Sequence, residues 1–266
     1  MPTTLKKCPI CHSPIGRYTD RFYGYHIGGK SFYICECSNP ECLLSFLNPQ
    51  MDAEESAAFY DQTLSKNFVY PDPDELEKNI QEYPHSYIVA LAKKWRVPPA
   101  FVIEIGPAQG YTLVSLKRSG YKVVGIESSS EWRKLASTIT QVPILSSLDE
   151  LKPNQCADAV VMWHVLEYIP DPLNFLLNLK SHLRDKSLLF IYVPLHEHIQ
   201  AFKNSFNESM VLCEFRINYF TRYSLINLLW RAGFSILDVK IDNPPHFFMT
   251  IVAVFDEESI SLAKFS

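Results

Sequence analysis

The sequence carries no surplus of positive charge: 25 Lys and Arg stand against 29 Asp and Glu, for a formal net charge of -4 and a pI near 6.1. A chain that grips a phosphate backbone shows a basic patch or stripe, and the only tight basic cluster here is Lys93, Lys94 and Arg96. Nucleic acid is therefore disfavoured as a substrate. Long apolar runs are missing as well. No window approaches the roughly 18 apolar residues of a spanning helix, and the first residues, MPTTLKKCPICHSP, hold no apolar stretch of signal-peptide length. The expectation is a cytoplasmic protein without a membrane partner. No repeat is evident, and with 47% hydrophobic and 20% charged residues the composition excludes a disordered chain. The 266 residues leave room for one sizeable α/β domain and a smaller appendage.

What is present is unevenly placed. Five of the seven cysteines lie within the first 42 residues, mostly in pairs. In a reducing compartment, that grouping points to metal binding rather than to disulfides. Cys8-Pro-Ile-Cys11 and Cys37-Ser-Asn-Pro-Glu-Cys42 form two knuckle-like pairs, and four thiolates suit a structural zinc ion. Cys35 and His12 offer alternative ligands; an inward-packing strand residue is the plainer role for Cys35. A site closed by four cysteines leaves no open position for chemistry.

Three zones follow one another: a zinc-ribbon-like module over 1–50, a helical linker or cap over 51–98, and alternating strands and helices over 99–266. In the middle zone Leu76, Ile80, Tyr83, Tyr87 and Leu91 recur at helical spacing, with Pro84 opening a second helix. Strands are expected at Phe101–Ile105, Tyr121–Ile126, Val142–Leu145, Asp158–Trp163, Leu188–Val193, Ser235–Ile241 and Phe247–Phe255. Helices fall between them. One opens at Asp171-Pro172 and sets Leu173, Leu176, Leu177 and Leu183 on one face; another carries Leu225, Leu228, Leu229 and Ala232 and stops at Gly233. A polar and aromatic insertion spans about 194–218, and Asp242-Asn243-Pro244-Pro245 reads as a hairpin connection. This pattern predicts a Rossmann-like, seven-stranded, mostly parallel sheet finished by an antiparallel edge strand.

Such sheets bind ligands beyond the C-terminal ends of their strands, so the first strand-to-helix turn is the place to search. It reads Glu104-Ile-Gly106-Pro-Ala-Gln-Gly110. Gly106 permits a sharp turn, the small Ala108 lets backbone approach a ligand, and Gly110 lets the helix begin close by. The helix N-terminus then offers free N–H groups to an anionic group. Glu127 ends the second strand, where a carboxylate can accept hydrogen bonds from both hydroxyls of a ribose.

EIGPAQG, VVGIESS, DAVVMWHVLEYIPDP, YVPL and YFTRYSLINLLWRAGF occur in an order that resembles class I S-adenosylmethionine-dependent methyltransferases, over about 99–256. Within that class the chain is similar to small bacterial enzymes that begin with a CPxC ribbon followed by aromatic-Asn-Pro, here Phe46-Leu-Asn48-Pro49. The resemblance implies S-adenosylmethionine as cofactor and S-adenosylhomocysteine as product. It places Glu104, Gly106, Ala108 and Gly110 at the methionine end, and Glu127 and Ser128 at the ribose. Ser147 and Leu148 fall at the adenine, and Trp163 and His164 beneath the sulfonium. It also favours Cys8, Cys11, Cys37 and Cys42 as the zinc ligands. Three positions depart from the family pattern: Ala108 stands for the middle glycine, Tyr168 for a frequent histidine, and Arg216 where a second histidine often stands.

Methyl transfer from an activated sulfonium needs positioning and, for a hydroxyl or acidic carbon, removal of a proton. His164 and Tyr168 are the candidate catalytic residues. His196, His198 and the aromatics Phe202, Phe206, Phe215, Tyr219 and Phe220 belong to the insertion, either lining a substrate pocket or packing it down. The acceptor is expected to be a small molecule such as a sugar, a lipid precursor or another metabolite. Two other readings compete. A dinucleotide-dependent oxidoreductase is disfavoured because Gly106-x-x-x-Gly110 lacks Gly-x-Gly-x-x-Gly spacing. A third makes the zinc ribbon the functional part, a binding module on a non-catalytic, degenerate methyltransferase fold that binds a partner or nucleic acid.

Overall fold

The computed structural model describes residues 3–27, 30–63, 71–82, 85–196, 216–242 and 248–256. The expected roles of His198, Phe202, Phe206, Phe215, Tyr83 and Pro84, and the hairpin connection at 243–245, lie outside the described residues.

The seven-stranded sheet is built from β4 (Phe101–Ile105), β5 (Lys122–Ile126), β6 (Ile144–Leu145), β7 (Ala157–Trp163), β8 (Leu183–Pro194), β10 (Phe234–Ile241) and β11 (Phe248–Phe255). Its order is β10-β11-β8-β7-β4-β5-β6. Strands β4, β5, β6 and β7 pair in parallel, with Glu104 opposite Gly125 on one side and Val161 on the other. The last strand is antiparallel, but it is not an edge strand as the sequence suggested. It inserts between β8 and β10, which fits its nearly continuous apolar run: Met249, Ile251, Val252, Ala253 and Phe255 are all buried. The edge falls to β10, whose Leu237, Val239 and Lys240 are exposed.

Helices connect the strands where the sequence placed stops and starts. α4 (Tyr111–Arg118) ends before Gly120, whose φ of 90° closes the turn. α5 (Ser130–Thr140) is capped by Ser129, which accepts from the Trp132 N–H. α6 (Pro172–Leu179) begins at Pro172, with Asp171 accepting from the Asn174 N–H at 3.0 Å. One expectation fails here. Leu177 is exposed and Leu183 opens β8, so neither joins the buried face of Leu176 and Leu179. A short 3-10 turn at Lys180–His182 ends the helical rotation before Leu183. α7 (Arg222–Arg231) opens with a capping box between Thr221 and Ser224.

The described parts of the 51–98 zone hold three helices, α1 (Ala53–Thr63), α2 (Pro73–Gln81) and α3 (His85–Trp95). Asp72 caps α2 and proline follows at its first position. Ile88, Val89, Leu91 and Ala92 of α3 pack into a core with Val102, Leu116, Val161 and Phe190. Each fully buried aliphatic side chain of this kind contributes about 1.5–3 kcal/mol relative to exposure.

The N-terminal residues form their own sheet, in the order β1 (Ile15–Ile27), β2 (Lys30–Cys37), β3 (Ser45–Asn48), β9 (Asn218–Tyr219). All three pairings are antiparallel, and β9 sets Asn218 opposite Phe46. No pattern in the sequence marks residues 218–219 as part of this sheet. By contacts the chain divides into two compact units. One gathers Met1–Ser56, His164–Asn178 and Ile191–Ile251; the other gathers Ala57–Trp163, Leu179–Phe190 and Val252–Ser266. Among the described residues no helix is long and apolar enough to cross a membrane.

Candidate active site and cysteine cluster

In the unit that holds β4 and β5, the two elements singled out in the sequence meet. The Gly106 N–H donates to the Ile126 carbonyl at 2.8 Å, fastening the first turn to the end of β5. One residue on, the Glu127 carboxylate accepts from the Ala108 N–H at 3.3 Å through Oε2 and from the Ser129 N–H at 3.0 Å through Oε1. Gly110 has φ 83° and sits where a Cβ would lie 2.3 Å from the Thr140 methyl, so glycine is required there by conformation and by space. No side chain caps α4, which leaves its N-terminal N–H groups directed past the turn. Ala108 has φ 47°, a left-handed conformation that glycine adopts with the least strain.

Glu104 lies within this unit with 3% of its surface exposed. Burial pushes its carboxyl up to about 8; the hydrogen bond with Thr112 opposes the shift and the nearby Glu127 charge adds to it. Its Oε2 has no hydrogen-bond partner among the described residues. Thr112 is also 2.7 Å from His85 Nδ1, so Glu104, Thr112 and His85 form a chain of polar contacts. Glu127 is likewise raised, mainly by burial.

Other predicted residues fall nearby in the same unit. Leu145 pairs with Ile126, so Ser147 and the buried Leu148 follow directly beyond the end of β6. Ser128 is exposed, and its carbonyl and that of Glu127 both accept from Arg133 Nη1, at 2.6 and 2.8 Å. Trp163 ends β7 half-buried, edge-on to Tyr87 at 5.9 Å. Two contributors escaped the sequence reading: Arg133, and Asp61 of α1. Asp61 accepts from the Ser129 hydroxyl, from the Ser130 hydroxyl at 3.0 Å and from the Ser130 N–H at 3.3 Å. Partial burial acts to raise Asp61, but these hydrogen bonds win and hold it below its ordinary value. No pattern in sequence links a helix residue to serines 68 positions away.

The other unit contains His164 and Tyr168. His164 has φ 55°, its N–H donates to the Tyr192 carbonyl at 3.0 Å, and its Nδ1 is 3.1 Å from Oε1 of Glu167. Tyr168 is half-buried in the 3-10 turn Leu166–Tyr168. His196 is half-buried with its ring 5.5 Å from that of Tyr219, and Phe220 and Tyr219 are buried. Glu167 was not singled out from sequence, although it lies inside HVLEYIPDP.

The same unit holds the cysteines. The sulfurs of Cys8, Cys11, Cys37 and Cys42 all lie within 4.8 Å of one another. Cys8–Cys42 and Cys11–Cys37 are 3.8 and 3.3 Å apart. A tetrahedral zinc with Zn–S near 2.3 Å needs sulfurs about 3.8 Å apart, so the set fits. The Ile10 and Asn39 N–H groups each point to a sulfur at 3.4 Å, of Cys8 and Cys37. The hydrogen bond shared with Cys42, and then burial, push the Cys8 thiol far up. Cys11 falls to about 6, where burial is outweighed by hydrogen bonds from Ser13, Cys37 and Cys8. Cys35 is buried in β2 outside this group, and His12 is exposed.

An open sheet in this strand order, with a glycine turn leaving β4 and an acid ending β5, defines the class I S-adenosylmethionine-dependent methyltransferases. The family model described as a methyltransferase domain matches residues 76–239, more than half of the chain, and the chain belongs to that family. Among solved structures it is similar to magnesium protoporphyrin IX methyltransferase from Synechocystis PCC 6803 with bound S-adenosylmethionine. The TM-score is 0.56 at 16% identity, over 79% of this chain and 100% of that one. It is also similar to 1,6-didemethyltoxoflavin-N1-methyltransferase from Burkholderia thailandensis, at TM-score 0.53 and 18% identity over 85% and 96% of the two chains. A Haloferax volcanii complex of the Trm112 methyltransferase activator with a methyltransferase gives TM-score 0.54 at 16% identity, over 76% and 98%. No match was found among curated proteins.

Proposed function

We propose that this methyltransferase acts on a small-molecule acceptor, with Glu127 holding the ribose of S-adenosylmethionine and the β4–α4 turn holding its methionine end. The observation that carries the assignment is the bond between the Glu127 carboxylate and the Ala108 N–H, which joins the acid and the turn. In that reading the two oxygens of Glu127 receive the ribose hydroxyls, and Ser128 lies beside them. The uncapped N-terminus of α4 receives the carboxylate of the methionine moiety. Ser147 and Leu148 flank the adenine, and Trp163 and His164 lie beneath the sulfonium. When bound, the cofactor supplies an already activated methyl group; the chain's own residues orient the acceptor and take its proton. His164 is the proposed proton acceptor and Tyr168 a proposed contact to the acceptor. Support for a small acceptor comes from the net charge of -4 and from similarity to enzymes whose names specify a porphyrin and a toxoflavin precursor.

We infer that Cys8, Cys11, Cys37 and Cys42 hold a structural zinc ion, that 1–50 is a zinc-ribbon-like module, and that the protein is cytoplasmic. Calorimetry with S-adenosylhomocysteine tests the central assignment. Glu127→Ala should weaken binding at least 10-fold, about 1.4 kcal/mol. Equal affinity in the variant removes the ribose assignment. Binding of NADH in place of S-adenosylhomocysteine would overturn the whole reading.

A further inference from the structure

We propose that Glu104 trades its proton for the ammonium group of an incoming ligand: the unliganded protein holds it as the neutral acid at pH 7, and a ligand with an α-amino acid arm displaces that proton to solvent. The proposal rests on the reading that the β4–α4 turn holds the methionine end of S-adenosylmethionine.

Glu104 lies on an inner strand with nothing beside it to balance a charge. Its partners across the sheet are Gly125 of β5 and Val161 of β7, neither of which carries a polar side chain. The side chain is buried, and Oε2 has no hydrogen-bond partner among the described residues. A carboxylate without a counter-ion is costly in such surroundings, and the group neutralises itself by keeping its proton. The titratable groups around it reinforce this. On the β5 side stands Glu127, whose charge opposes a second anion. On α4 stands Thr112, which does not titrate, and behind it His85 of α3, whose own protonation burial opposes. Arg133 and Asp61 act on Glu127, and Glu82 acts on His85. Among the described residues that act on Glu104, none is a cation.

A ligand can supply the missing cation. An α-amino acid carries a carboxylate and an ammonium on one carbon, and the turn offers a complement to each: the uncapped N-terminus of α4 for the anion, Glu104 for the cation. With an ammonium beside it, the ionised acid gains an ion pair and a charge-assisted hydrogen bond, so the balance reverses. The step displaces one proton. The Glu104 O–H bond breaks, its hydrogen leaves to the buffer as a proton, and the ligand keeps all three ammonium hydrogens, one of which donates to the carboxylate. Thr112 and His85 serve both states by redirecting hydrogens alone. Against the neutral acid, Thr112 Oγ1 accepts from Glu104 and donates its own hydrogen to His85 Nδ1, 2.7 Å away. Against the carboxylate, Thr112 donates to Glu104, and His85 Nδ1–H donates to Thr112.

Calorimetric titration of the full-length protein at pH 7, in buffers of different ionisation enthalpy, counts the protons. S-adenosylhomocysteine, which carries the amino-acid arm, should release about one proton per molecule bound. 5′-Methylthioadenosine, which keeps the adenosine and the sulfur but lacks that arm, should release none. In Glu104→Gln, whose amide has no acidic proton, the release with S-adenosylhomocysteine should vanish, with methylthioadenosine binding as the check on folding. Binding of S-adenosylhomocysteine to the unmodified protein without proton release overturns the proposal and leaves the cofactor reading in place. Equal release with both ligands also overturns it, and assigns the proton to Glu127. Undiminished release in Glu104→Gln overturns it as well. If neither ligand binds the unmodified protein, the cofactor reading itself falls, and this proposal with it.

Discussion

A buried acid such as Glu104 makes stability depend on pH in a direction set by its surroundings. Its carboxyl is raised from 4.5 to about 8, chiefly by burial, so the folded state favours the protonated form. A group raised in this way contributes stability that is complete below about 4.5 and is lost as pH climbs through about 8. The thermal midpoint should therefore fall between pH 5 and pH 8 more steeply in the unmodified protein than in Glu104→Gln, which mimics the protonated acid. Parallel curves in a calorimetric pH series would contradict this. At Ala108 the strain is in the backbone. A non-glycine residue at φ 47° costs on the order of 1 kcal/mol, so Ala108→Gly should leave stability unchanged or raise it slightly while preserving cofactor binding. Denaturant unfolding measures the difference. Glu127 and the glycine turn were readable from sequence because their chemistry is local: a strand, a tight turn, a helix start. Asp61 was not, because it acts through Ser129 and Ser130, which only packing brings close.

Among the elements, α1 depends on a contact that crosses 68 positions. The Asp61 carboxylate accepts from Ser129 and Ser130 at the start of α5, where negative charge is favoured by the helix dipole. Asp61→Ala should cost about 1 kcal/mol, the usual scale for losing a carboxylate or hydroxyl at a helix N-terminus. It should also raise hydrogen exchange in the described residues of α1 more than in β4 or β7. Uniform exchange across those elements would show that Asp61 does not anchor the helix. Element identities were otherwise well encoded. The Asp171-Pro172 start and the Gly120 and Gly233 stops work through one residue's dihedral or cap, and all three stand in the structure. The overlong face assigned to α6 failed because apolar spacing alone does not mark where a helix hands over to a strand.

At the scale of the whole molecule, the four-cysteine set lies at the N-terminal sheet, with Cys37 ending β2. Metal analysis of the purified protein should give about one zinc per chain, and Cys37→Ala should abolish it. Full occupancy in that variant would discard the ligand set. Chelation should speed the exchange of the amides of β2 and β3, which pair through Cys35 and Phe46 beside the cysteine set.

The sequence by itself determined the alternation of strands and helices, the glycine turn after β4, the acid that ends β5, and the four cysteines. Periodicity, caps and turn residues act over a few positions, so they can be read along a line. Tertiary structure alone decided that β11 slips between β8 and β10, that residues 218–219 extend the cysteine-bearing sheet, and which acid stands at the start of α5. Those choices depend on which distant surfaces bury one another, and no local pattern records that.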